Sequence, residues 1–117
     1  MAEYHQINTS EIGDVTVVKF VNSKIIDEEQ IQQFGEELLS LVTAENKHAL
    51  LLNFEGIEFL SSAALGKLIK LDKTLKTAGG KLKLSCIRPE LHEVFAITKL
   101  DQMFDIKDTE SDALAAF

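Results

Sequence analysis

The sequence predicts an α/β fold in which a central mixed sheet of four to five strands carries amphipathic helices packed on it. Three observations lead there. Stretches rich in β-branched residues alternate with stretches of helical period along the 117 residues. One run, Ala49-Leu50-Leu51-Leu52-Asn53-Phe54, is almost unbroken in its apolar character, which suits a central strand covered on both faces. The composition, 45% hydrophobic and 26% charged, is that of an ordinary soluble globular protein and excludes disorder or collagen-like repeats.

Tyr4 to Thr9 and Val15 to Val21 read as the first two strands. Glu11-Ile12-Gly13-Asp14 supplies the turn of a hairpin between them. Asp27 is placed to cap a helix running to about Thr43, with Gln30 three residues later as in a capping box. Ile31, Phe34, Leu38, Leu41 and Val42 form its apolar stripe, and Glu28 and Glu29 complement the dipole in its first turn. After the apolar strand, a second helix is expected from about Ser62 to Thr77, packing through Leu65, Leu68, Ile69, Leu71 and Leu75. Gly79-Gly80 ends it. Lys81 to Ile87 reads as a further strand. Pro89 opens a third helix to about Thr98, since proline is tolerated in a first turn. Met103 to Ile106 is a short last strand, and Asp108 to Phe117 either a short helix or a frayed end. The turns are short and no linker is visible, so residues 1–117 read as one domain.

Twelve Lys and Arg against 19 Asp and Glu give a net charge of −7. An acidic surface repels phosphate backbones and anionic headgroups, which disfavours nucleic acid and membranes and leaves a protein as the expected partner. No signal peptide is visible, and no apolar run approaches the roughly 18 residues of a membrane span. The expected compartment is the cytoplasm. Cys86, the only cysteine, lies in an apolar run and reads as a buried, inert thiol. His5, His48 and His92 lack metal-ligand spacing, so no metal is expected. Gly79-Gly80 lacks the Lys-Ser/Thr of a P-loop. Nor does a Gly-x-Ser-x-Gly surround Ser62, and no histidine stands near it in sequence, so the reading is not an enzyme.

The stretch that carries chemistry is Asn53-Phe54-Glu55-Gly56-Ile57-Glu58-Phe59-Leu60-Ser61-Ser62-Ala63-Ala64-Leu65-Gly66. A buried strand ends, a loop crosses the surface, and two serines stand where a helix begins. Serines at that place commonly cap the helix. The same place tolerates a phosphate, because free N–H donors and the dipole favour negative charge. A phosphoserine adds about −1.5 to −2 charges, enough to repel a docked protein without unfolding its bearer.

Phe59 to Gly66 resembles the motif Asp-Ser-[Ser/Thr]-Gly-Leu-Gly of the STAS family (sulfate transporter and anti-sigma factor antagonist). Ser61 stands at the Asp position, Ser62 at the phosphoacceptor serine and Ala63-Ala64 at Ser/Thr-Gly, while Leu65 and Gly66 agree outright. Ile25-Ile26-Asp27, Ala78-Gly79-Gly80-Lys81-Leu82 and Glu93 through Ile106 are similar to other parts of the family pattern, so nearly the whole chain is covered. Two departures remove carboxylates from the acceptor's surroundings: Asn53 replaces a strand-end aspartate, and Ser61 the motif aspartate. Ala64 replaces a glycine, so no positive φ is needed there.

The resemblance implies an anti-sigma factor antagonist acting by partner switching. Unphosphorylated, it would bind an anti-sigma serine kinase of the histidine-kinase-like ATPase type. Phosphorylation at Ser62, with Ser61 the alternative acceptor, would release the kinase, and a metal-dependent serine phosphatase would reset the switch. Ser61, Ser62, Ala63 and the exposed side of the following helix would make the contact. Lys67, Lys70, Lys73 and Lys76 lie on the outer side of that helix, and Lys67 and Lys70 are the candidates for docking an acidic partner. The first helix is the opposite, with Asp27, Glu28, Glu29, Glu36 and Glu37, an asymmetry that could orient a partner or self-association. The ATP belongs to the kinase, so this chain is assigned no cofactor. The rival implication is a non-phosphorylated STAS assembly subunit of a signalling complex or lipid transporter.

Overall fold

The computed structural model describes residues 4–117. A five-stranded sheet has the order β1-β2-β4-β6-β7, built from β1 (Ile7–Ile12), β2 (Val15–Phe20), β4 (Ala49–Asn53), β6 (Lys81–Ser85) and β7 (Asp105–Lys107). β1 and β2 are an antiparallel hairpin, and every other neighbouring pair is parallel. The sheet is therefore mixed, as expected. β3 (Lys24–Ile25) and β5 (Phe59–Leu60) form a separate two-stranded parallel ladder.

Three long connections join the parallel strands: α1 (Glu28–Thr43), α2 (Ser62–Thr77) and α3 (Pro89–Ile97). The strand order advances in one direction, so crossovers of the usual right hand put all three helices on one face. Their N-termini consequently share the end of the sheet where the parallel strands finish. Beneath them lies the main core, including Phe34 and Leu38 of α1, Leu68 and Leu71 of α2, and Leu50, Leu52 and Leu84 from the sheet. Among the described residues the other face carries only one helix, α4 (Glu110–Ala115), over Val15, Val17 and Leu51. No helix among the described residues is long and apolar enough to cross a membrane.

Most elements form where their residues predict. Asp27 accepts a hydrogen bond from the Gln30 amide at 3.3 Å, and Gln30 Oε1 accepts from the Ile26 amide rather than from the cap itself. Three expectations change, and one left open is decided. The first strand runs later than Tyr4–Thr9, because Gly13 at φ 61° makes a two-residue turn with Asp14 and the strand continues to Ile12. β6 stops at Ser85, since Cys86 takes φ 61°, and the thiol is half-buried rather than buried. The last strand is Asp105–Lys107, preceded by a 3-10 turn at Leu100–Gln102. The C-terminal segment is a helix, capped by the Thr109 hydroxyl, which accepts from the Asp112 amide at 3.1 Å.

Candidate functional site

The two serines at the head of α2 have different surroundings. Ser61 is the N-cap: its Oγ accepts from the Ala64 amide at 3.2 Å and its carbonyl from the Leu65 amide at 3.1 Å. Its own amide donates to the Ile25 carbonyl at 3.1 Å, tying the start of α2 to the β3–β5 ladder. Ser61 is thus held on three sides and half-buried. Ser62, the first helical residue, is exposed, and among the described residues its side chain makes no hydrogen bond with a protein group. Capping belongs to Ser61; the hydroxyl free for chemistry belongs to Ser62. Ala63 is also exposed, while Ala64 points into the core.

A groove of about 410 Å³ runs beside these residues, lined by Ser61, Ala63 and Lys67 from α2 and by Ile26, Glu28, Ile31 and Gln32 from α1 and its approach. Two large apolar side chains are exposed near by in the fold, Ile26 and Phe59, the latter pairing with Lys24 across the small ladder. Composition and motif spacing gave no signal for either, because their exposure follows from a parallel pairing of distant segments.

The lysines divide. Lys67 is half-buried: its stem lies across Gly35 of α1, where an added Cβ would come within 2.6 Å of Lys67 Cδ, and its Nζ donates to Gln32 Oε1 at 3.2 Å. Gly35 is the residue that lets the two helices receive this side chain. Lys70 and Lys73 are exposed, while Lys76 pairs with the buried Asp72 at 2.9 Å. The acidic ridge of α1 is likewise smaller than the sequence suggests. Glu37 is buried, and its carboxylate accepts from the amides of His5 and Gln6.

Asn53 does not bond to either serine. It lies under α4, where Nδ2 donates to Glu110 Oε1 and Oδ1 accepts from the Glu55 amide, both at 2.9 Å. The replacement of an aspartate there fits this local pair, because a second carboxylate would face Glu110.

The family model for the STAS domain matches residues 6–113. The chain belongs to the STAS domain family. BtrV of Bordetella bronchiseptica, assigned as an anti-sigma factor antagonist, is 26% identical over 93 residues, which cover 80% of this chain and 79% of BtrV. A Thermotoga maritima protein with the same assignment has a similar fold, at a TM-score of 0.84 and 21% identity over 96% of this chain and 94% of its own. The phosphorylated form of SpoIIAA, a Bacillus cell-fate determinant, superposes with a TM-score of 0.70 at 17% identity, covering 94% of this chain and 97% of that one. This STAS domain thus has the mixed sheet and helical layer of its solved neighbours.

Proposed function

We propose that this STAS domain is an anti-sigma factor antagonist that works as a phosphorylation-gated partner switch, with Ser62 as the acceptor. The observation that carries the reading is the contrast at the head of α2, where Ser61 is consumed by the cap and Ser62 stands exposed beside a groove of mixed polar and apolar lining. Unphosphorylated, the surface around Ser61, Ser62, Ala63, Lys67 and Lys70 docks an anti-sigma serine kinase of the histidine-kinase-like ATPase type. Lys70 offers a free charge to it, whereas Lys67 contributes mainly its fixed stem. The domain itself performs no catalysis.

In the kinase complex, Ser62 Oγ bonds to the γ-phosphorus of the kinase's ATP, the bond to the departing ADP breaks, and the hydroxyl proton leaves with a base of the kinase. The product places a dianionic group at the first residue of α2, where the helix dipole tolerates it. A kinase surface fitted to Ile26, Phe59 and Ala63 must then desolvate that group, and docking fails. A serine phosphatase restores the hydroxyl. Support comes from the family, from BtrV's assignment as an antagonist, and from the shared fold of phosphorylated SpoIIAA.

The test is a capture from native lysate with wild type and Ser62→Asp as baits, followed by calorimetry on whatever kinase is recovered. Ser62→Asp should bind at least about tenfold more weakly, a difference of about 1.4 kcal/mol, and Ser62→Ala should bind like the unphosphorylated protein. Equal affinities for the two variants would sink the switch. Recovery of one scaffold or transporter ATPase by both baits would instead favour an assembly subunit, the role that the absence of a carboxylate at Asn53 and Ser61 also suits.

A further inference from the structure

The two edges of the main sheet are built differently. β7 is three residues long, and its Asp105 is clamped between Lys83 and Lys107, the short, charged kind of edge that discourages further pairing. β1 has six residues, five of them exposed. It contains no lysine, no proline and no bulge, since its register with β2 runs unbroken from Ile7↔Phe20 to Ile12↔Val15. Its one charge, Glu11, already pairs with Lys47 at 3.2 Å.

The ladder fixes which backbone groups remain unpaired. The Gln6 carbonyl accepts from the Val21 amide at 3.1 Å, and Ile12 faces Val15 across the two-residue turn. Even-numbered residues of β1 therefore aim their N–H and C=O groups at β2. Those of Ile7, Thr9 and Glu11 point away, and among the described residues no strand pairs with them.

We propose that β1 pairs with β1 of a second copy, antiparallel about a two-fold axis at Thr9, so that one continuous sheet crosses both molecules. The register follows from what each alternative costs. Centring on Ile7 runs the partner strand past His5, where the chain has turned toward Glu37, and leaves Glu11 unpaired. Centring on Glu11 sets two carboxylates opposite each other and overruns the turn at Gly13. Centring on Thr9 uses all three outward residues, with Thr9 facing its own copy and each Ile7 facing a Glu11. A second copy satisfies the edge as its own complement. With a net charge of −7 on each chain, association strengthens as salt screens the repulsion, the reverse of pairing driven by opposite charges. The pairing is independent of Ser62, which lies on another element.

Sedimentation equilibrium of the full chain at low and high salt tests this, with Thr9→Pro and Thr9→Lys as variants. Thr9→Pro deletes an outward N–H that the hairpin does not use, a place where an edge strand accepts proline. Thr9→Lys sets two ammonium groups across the axis. Wild type should form a concentration-dependent dimer that tightens with salt, and both variants should dimerise at least tenfold more weakly while keeping wild-type circular dichroism. Ser62→Asp should dimerise like wild type. Should Thr9→Pro fail to fold, Thr9→Lys decides. A wild type that stays monomeric at all concentrations, or a Thr9→Lys that dimerises as tightly as wild type, overturns the proposal.

Discussion

The two faces of the sheet solve the problem of burial in opposite ways. Under α1, α2 and α3 the interior is mostly apolar, with Glu37 and Asp72 the buried carboxylates of its helices, and a chain of rings crosses it. Phe20 lies 5.5 Å from Phe34 and 5.1 Å from Phe54, Phe54 meets Phe95 edge-on at 6.3 Å, and Phe95 meets Phe104 at 6.0 Å. Under α4 the buried apolar cluster among the described residues is small, Val15, Val17, Leu51 and Ala113 with Ala49, Leu114 and Phe117 packed at its margin, and polar groups are buried beside it. Asn53 bonds to Glu110; Lys83 reaches Asp105 at 2.5 Å and stands over the Phe117 ring; the buried Ser85 hydroxyl has no partner among the described residues. One face holds the fold together by area. The other is held by a few directed contacts, so it should open at lower free energy.

Variants on each face can break this comparison. The largest effect is expected for Phe54→Ala, which opens a cavity in the middle of the ring chain and should cost about 3–5 kcal/mol in urea unfolding. A loss no greater than that of a surface substitution would mean the ring chain does not hold the main face. Next comes Asn53→Asp, which keeps the acceptor for the Glu55 amide but turns a bond to Glu110 into a contact between carboxylates. About 1–3 kcal/mol should be lost, confined to α4. Amide exchange should quicken over Glu110–Ala115 and not over α1 or α2. Uniform quickening would show that α4 is coupled to the main core.

The smallest effect is expected for Asp105→Asn, below about 1 kcal/mol because the carboxylate is well exposed and screened. The hydrogen bond from Lys83, helped by Lys107, holds the Asp105 carboxyl below the ordinary carboxylate range. A depressed folded-state value means the contribution is present at neutral pH and is lost as pH falls below the usual aspartate range and through that lowered value. Asp105→Asn should therefore be slightly less stable than wild type at pH 7, with the gap closing in acid. A gap that widened in acid would assign the wrong sign to this pair.

The main face was legible because its elements are written locally. The stripe Ile31, Phe34, Leu38, Leu41 and Val42 is buried as its spacing predicts, Asp27 caps α1, and Gly79 at φ 80° follows α2. The polar face was not. Nothing in Asn53 announces that its partner is Glu110, 57 residues away, and nothing in Asp72 announces burial beside Lys76. At the candidate site, the motif put Ser62 at the acceptor position with Ser61 as the alternative, but did not say which of the two caps the helix. That assignment depends on β3 meeting β5, which lets the Ile25 carbonyl take the Ser61 amide and sets Ser61 as the cap.

By itself, then, the sequence determined the order of the main-sheet strands and the helices (though not the small β3–β5 ladder), the faces that α1 and α2 bury, and the place on the chain where two serines open a helix. These follow from periodicity, capping and turn chemistry, which act over a few residues. Only the tertiary structure decided that Ser61 is bonded while Ser62 is exposed, that Lys67 lies across Gly35, and that β1 is left with an outward row of unpaired backbone groups. Each of these is set by segments far apart in sequence meeting in space, and local propensity carries no record of such a meeting.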